Sequence, residues 1–207
     1  MNVLGVETEQ GKKDPLPSEQ QKIKEGYGPV FHRVYSVVVA VPFETAKRAM
    51  SDVMADPNMF APTVLAEFEK RKGEPGALEV GDEFQIYITG PWNGPVRVKD
   101  VTETSFRLVT LEGHMEAGEI EFRIGEGGKE GTLFEIESLA RSADRLVDFV
   151  YDKLPVAKLA QTQMWTAFCK AFHEHALKTA GQEAQDSPEV EILTERKDEK
   201  TGEWKAL

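Results

Sequence analysis

"EFQIYITGPWNGPVRVKDVTETSFRLVTLEGHMEAGEIEFRI", residues 83–124, is the stretch on which the fold turns. Phe84, Ile86 and Ile88 alternate with Gln85, Tyr87 and Thr89. Val96 and Val98 alternate with Arg97 and Lys99, and Ile120, Phe122 and Ile124 with Glu119, Glu121 and Arg123. A period of two sends neighbouring side chains to opposite faces, so each run reads as a half-buried strand. "SFRLVTL" (105–111) adds another strand, and "TLFEIESLA" (132–140) one more beyond the Gly-rich turn at 125–128. "GPWNGP" (90–95) is a turn by its Gly, Pro and Asn content. Short strands joined by tight turns predict an antiparallel meander with one apolar face.

Toward the N-terminus, "HRVYSVVVAV" (32–41) is β-branched and predicts a buried strand. Pro42 suits a helix start, and in "FETAKRAMSDVMA" Phe43, Ala46, Ala49, Met50 and Val53 share one helical face. After the Asp56-Pro57 break, "TVLAEFEKRK" (63–72) predicts a second short helix ended by Gly73. Toward the C-terminus, residues 142 to about 180 predict helix. Ser142 is the expected N-cap, Leu146, Phe149 and Val150 begin an apolar stripe, and Pro155 implies a break near Leu154. Beyond it, Leu159, Thr162, Trp165, Phe168, Cys169, Phe172 and Ala176 fall on one face.

A sheet with one apolar face must bury it. One long helix laid across a curved sheet does so, but a rod on a concave surface leaves a gap, which is a cavity lined by both elements. The expected class is therefore α+β of the helix-grip type: a curved antiparallel sheet around a long C-terminal helix, with two short helices after the first strand. The expected organisation is a polar arm over 1–28, with a short helix over Ser18–Glu25, then a helix-grip domain over 29–181. Residues 182–207 form an acidic tail or a small hairpin around Trp204, able to pair with its own chain or with a second copy in a homo-oligomer.

Composition narrows the function. A net charge of −11 over 207 residues opposes binding to a nucleic-acid backbone or to anionic lipid. Hydrophobic residues make up 40%, enough for one real core. A single cysteine, Cys169, excludes an internal disulfide framework and a Cys-based zinc site. No signal-peptide core and no run of membrane-spanning length is present, so the expectation is a cytoplasmic protein with no membrane insertion.

The order of elements resembles the superfamily of START lipid-transfer domains, birch-pollen-allergen-like proteins and polyketide cyclases (SRPBCC). A tighter resemblance covers residues 84–175. The turn at Trp92–Asn93, the strand with Arg97-Val98, and Thr110, Leu111, Gly113, His114, Glu116, Gly118, Glu119 and Phe122 resemble a bacterial and plant family of uncharacterised proteins. "FEIESLARSA" resembles that family's next strand. One departure is Leu108-Val109, where the family carries an aromatic-Gly pair, and this bears on pocket shape. The resemblance implies a fold and a cavity and supplies no reaction.

In "GHMEAGEIEF" (113–122) two readings compete. In one, Gly113 and Gly118 take positive φ in a connection between strands, His114 and Glu116 pair locally, and Glu119 caps backbone N–H groups. In the other, His114 acts as a base oriented by Glu119, able to enolise or dehydrate a carbonyl compound. One imidazole with Glu116 and Glu119 is a poor zinc set, so neither metal nor cofactor is expected. His173 and His175 lie two apart on a helix and cannot chelate together. The residues expected to touch a ligand are Tyr35, Tyr87, Trp92, Trp165, Phe168 and Phe172, with Tyr87 facing Arg97. A cavity arginine would suit a carboxylate ligand. The overall expectation is a binder of a small hydrophobic or amphipathic molecule rather than an enzyme. The rivals are a cyclase- or dehydratase-like enzyme using His114 and Glu119, and an interaction module built on the C-terminal segment.

Overall fold

The alternation read from residues 83–140 becomes five consecutive antiparallel strands in a computed structural model that describes residues 19–62, 64–88, 93–144, 155–199 and 201–207. They are β3 (Glu83–Ile88), β4 (Gly94–Val101), β5 (Ser105–Thr110), β6 (Glu116–Glu126) and β7 (Thr132–Ser142). With β1 (Tyr27–Val39), β2 (Ala66–Lys72), β8 (Glu191–Lys197) and β9 (Trp204–Ala206) they form a nine-stranded sheet among the described residues. The order is β2-β3-β4-β5-β6-β7-β1-β8-β9. Among the described residues two α-helices accompany it: α1 (Phe43–Ala55) and α2 (Pro155–Thr179). This is the helix-grip plan. Among the described residues no helix is long and apolar enough to cross a membrane.

Inward positions of α2 bury Met164, Trp165, Phe168, Cys169, Phe172 and Ala176 against the sheet. The Phe172 ring stacks on Phe134 of β7 at 3.9 Å between centroids. Phe122 of β6 stacks on Phe106 of β5 at 4.6 Å and meets Trp165 edge-on at 5.6 Å. Each such ring removes enough apolar area from water to stabilise the fold by about 1.5–3 kcal/mol. Leu159, expected on the same stripe, is 56% exposed, and Gln161 takes the buried place. His175 Nε2 lies 2.7 Å from Asp52 Oδ2, tying α2 to α1.

Residues 64–72 do not form the expected second helix. Ala66–Lys72 form strand β2, and the helical turn in this region is the earlier 3-10 turn Pro57–Met59. Ala, Glu, Lys and Arg favour helix intrinsically, but tertiary pairing overrides that preference. Ala66 and Phe68 alternate into the core and pair with Ile88 and Ile86 of β3. The Asn58 amide clamps the edge: Nδ2 donates to the Phe68 carbonyl (2.9 Å), and the Phe68 N–H donates to Oδ1 (2.7 Å). Two further expectations change. Ser142, expected at a helix start, lies buried at the end of β7, opposite Glu116 and Tyr27. Within the expected helix over 18–25, Ile23–Glu25 makes a 3-10 turn, while Gln20 bridges to Leu111. Leu146, Phe149 and Val150 of the expected stripe, and the expected break near Leu154, lie outside the described residues.

The C-terminal segment pairs within its own chain. β8 runs antiparallel to β1, with His32 opposite Glu195, and β9 turns back on β8. His32 bridges the two neighbouring strands: Nδ1 lies 3.0 Å from Glu195 of β8 and Nε2 2.6 Å from Glu137 of β7. Trp204 covers the ring at 5.8 Å. Burial opposes charge on this imidazole, but the hydrogen bonds and charges of Glu195 and Glu137 together outweigh it and raise its pKa above 6.5.

Phe172→Ala should lower the free energy of unfolding by about 3–5 kcal/mol in urea titration, whereas Val80→Ala at a site 67% exposed should change it by less than about 0.5 kcal/mol. For His32 the folded-state pKa is the higher one, so its contribution is complete below about pH 6.5 and is lost as pH rises through the folded value. Amide-exchange protection at Ile192–Glu195, corrected for intrinsic rates, should fall across that rise in the native chain and become flat in His32→Gln.

Candidate ligand cavity between sheet and helix

The inward residues of β6 and β7 taper along the sheet. Opposed pairs run Ile124–Phe134, Phe122–Ile136, Ile120–Ser138 and Gly118–Ala140. Along α2 the facing side chains run Phe172, Phe168, Trp165 and Gln161. Large side chains fill the first part completely: Phe122, Phe134, Ile136, Phe168 and Phe172 are each under 2% exposed. Beyond Trp165 the β6–β7 pair narrows to Gly118, Ala140 and Ser138, and a cavity of about 50 Å³ remains. Its apolar walls are Ile86, Ile88, Val96, Leu108, Ile120 and Trp165, and its polar residues are Ser138, Gln161, Glu116, Thr110, His114 and Glu119, the last with its carboxylate drawn to Arg107 and Lys99. That volume holds a few water-sized groups rather than a whole lipid.

A buried polar cluster closes this end. Glu116 of β6 is 8% exposed; its Oε1 lies 3.7 Å from the Arg33 guanidinium of β1, and Gln161 Nε2 of α2 donates to Oε2 at 3.4 Å. One carboxylate thus meets groups from the sheet and from the helix. A buried charge needs such compensation, because desolvation alone would cost several kcal/mol. Tyr35 of β1, 1% exposed, stands on the same inner face as Arg33. Its hydroxyl pKa is raised by burial, against the opposing effects of Thr162 and Arg33.

His114 sits in the β5–β6 connection. The Glu116 N–H donates to its Nδ1 at 2.9 Å. Gly94 of β4 lies flat against the ring; a Cβ there would come within 2.3 Å of it. Burial pushes the imidazole pKa below its ordinary value, with the Glu116 charge and backbone acting the other way. Gln21 Nε2 donates to the carbonyls of His114 and Glu116, both at 2.8 Å, so the N-terminal segment pins the connection from outside. Gly113 takes φ +91°, as expected of a turn. Gly118 does not have positive φ; it is required because a Cβ would lie 2.3 Å from the Leu139 carbonyl across the ladder.

The expected catalytic pair is not assembled. The Glu119 carboxylate is held by Arg107 at 3.1 Å and Lys99 at 3.4 Å, and among the described residues no hydrogen bond joins it to His114. Glu119 therefore does not orient His114, because the strand's alternation turns it toward the outer basic residues of β4 and β5. Those two side chains, rather than backbone N–H groups, are what its carboxylate meets. Tyr87 is 41% exposed and its hydroxyl donates to Glu69 on β2 at 3.3 Å, away from the cavity. It does not face Arg97; the register pairs Arg97 with Glu83, and the two form an ion pair at 2.7 Å. Phe168 and Phe172 belong to the filled core, and Tyr35 is buried beside the polar cluster without bordering the cavity. Of the expected ligand contacts, Trp165 lines it. Trp92 lies outside the described residues. Gln161 lines the polar end, and Arg33, outside the lining, meets Glu116 there. Arg33 is legible as a charge inside an otherwise apolar strand, whereas Gln161 carries no signal, because its neighbour Thr162 fits the stripe better.

Burial pushes the Cys169 thiol up to about 12, so it packs as a small apolar group. Among the described residues no group of three or more His, Cys, Asp or Glu side chains is placed to hold a metal ion.

No curated protein matches the sequence. Solved structures align along most of it. Norcoclaurine synthase from Thalictrum flavum, in complex with dopamine and hydroxybenzaldehyde, aligns with a TM-score of 0.51 and 15% identity, over 80% of this chain and 98% of its own. The di-domain ARO/CYC StfQ from the steffimycin biosynthetic pathway aligns with a TM-score of 0.51 and 13% identity, over 74% of this chain and 52% of its own. At such identities the likeness concerns the fold, which is helix-grip in each case. Residues 20–171 match a family described as "Domain of unknown function (DUF1990)", and to that family the chain belongs.

Proposed function

We propose that the protein binds a small amphipathic molecule, or one end of a larger one, in the gap between β3–β7 and the Gln161–Trp165 turn of α2. The observation that carries this reading is the change in filling along the helix. The Phe168–Phe172 half is solid, while the Trp165 half leaves a cavity whose walls are apolar and whose far end is polar. Pockets of that kind orient a ligand by a few fixed polar groups and hold it by apolar area. The cavity's size favours a short group over a long acyl chain. The helix-grip likeness adds a fold in which the gap beneath the helix is the natural place for a ligand.

Methyl-labelled protein titrated with 2-butanone or 1-butanol should show shifts at Ile86, Val96, Leu108 and Ile120, and none at Val53 on α1. Ser138→Val, which fills the space with two methyl groups, should weaken those shifts at least about tenfold while leaving the methyl spectrum otherwise folded. Absence of any shift at the cavity methyls with both probes would remove this reading.

A further inference from the structure

The chemistry of the ligand's polar end is written in the hydrogen bonds of His114. Its Nδ1 lies 2.9 Å from the Glu116 N–H and 3.1 Å from the Glu116 carbonyl oxygen. The two contacts ask for opposite tautomers. A backbone amide can only donate, so the 2.9 Å contact is a hydrogen bond only if Nδ1 accepts, whereas that carbonyl is satisfied by Gln21 Nε2 at 2.8 Å without the ring. The shorter contact therefore decides, and Nδ1 is the unprotonated nitrogen of a neutral ring. The ring proton then sits on Nε2. Desolvation favours this neutral form. The ring cannot turn away, because Gly94 backs it closely on one side and Gln21 fixes the carbonyls of its connection.

The neighbouring charge also selects. Arg33 faces Glu116 at 3.7 Å, and a ligand carboxylate in the cavity would lie against the Glu116 carboxylate.

We infer that His114, which lines the cavity, turns its Nε2–H into it, and that the cavity reads an uncharged carbonyl oxygen, of a ketone, aldehyde or ester on an otherwise apolar small molecule, with this N–H as the donor that determines specificity. The inference rests on the ligand-binding reading above. It reverses the expectation that an arginine here would call for an anionic ligand.

The test compares three probes of similar size at pH 7.5 on the full chain: 2-butanone, its hydrocarbon isostere 2-methyl-1-butene, and butanoate. Affinity is read from the Leu108 and Ile120 methyl shifts, and the imidazole from nitrogen-15 spectra. The ketone should bind about tenfold more tightly than the other two, the order expected of one hydrogen bond, and should move the His114 Nε2 resonance. His114→Phe should erase the preference by weakening only the ketone. If that variant does not fold, the native spectrum still decides: a His114 proton found on Nδ1 overturns the inference. Equal binding of ketone and hydrocarbon, or tighter binding of butanoate, overturns it while leaving the cavity reading intact. Binding by none of the three overturns both.

Discussion

The contact on which the rest depends is the stacking of α2 on the concave face of the sheet through aromatic rings. Phe172 on Phe134 and Trp165 edge-on to Phe122 set how far the helix stands off the strands. Dense packing does not tolerate voids where side chains can fill them. The cavity therefore survives only where both surfaces shrink together, at Gly118, Ala140 and Ser138 on the sheet and Gln161 on the helix. Helix height is set at one end and empty space is left at the other.

The same geometry explains why a charged cluster is placed there. A buried carboxylate is costly unless opposite charge and hydrogen bonds meet it. Glu116 gathers Arg33 from β1 and Gln161 from α2, so the polar cluster also joins the two layers at the end where apolar contact runs out. His114, whose pKa is lowered by burial, adds a polar group to that end without adding charge. The cavity is thus polar at one end by construction.

The meander, α1 and the apolar face of α2 were legible because their periodicities repeat over many residues, and Phe84, Phe122 and Phe172 each have only one apolar side to join. Residues 63–72 misled because Ala66, Glu67, Glu69, Lys70 and Arg71 favour helix in isolation, and two buried positions, Ala66 and Phe68, are too few to show a period of two. The pairing of His114 with Glu119 misled for a different reason. They are close along the chain, but a strand's alternation and the pull of Arg107 and Lys99 separate their functional groups. Tyr87 failed similarly, since only the true register, Glu83 against Arg97, fixes which side chains meet.

The sequence by itself determined the local elements and their amphipathic faces, and hence that a helix must cover a one-sided sheet, since hydrophobic periodicity is a property of neighbours along the chain. Which positions stay unfilled, which carboxylate meets Arg33, and which nitrogen of His114 carries its proton were decided only in the tertiary structure. Those depend on distances between residues as remote as Gly94 and His114, or Arg33 and Glu116, and no local pattern encodes a distance across the sheet.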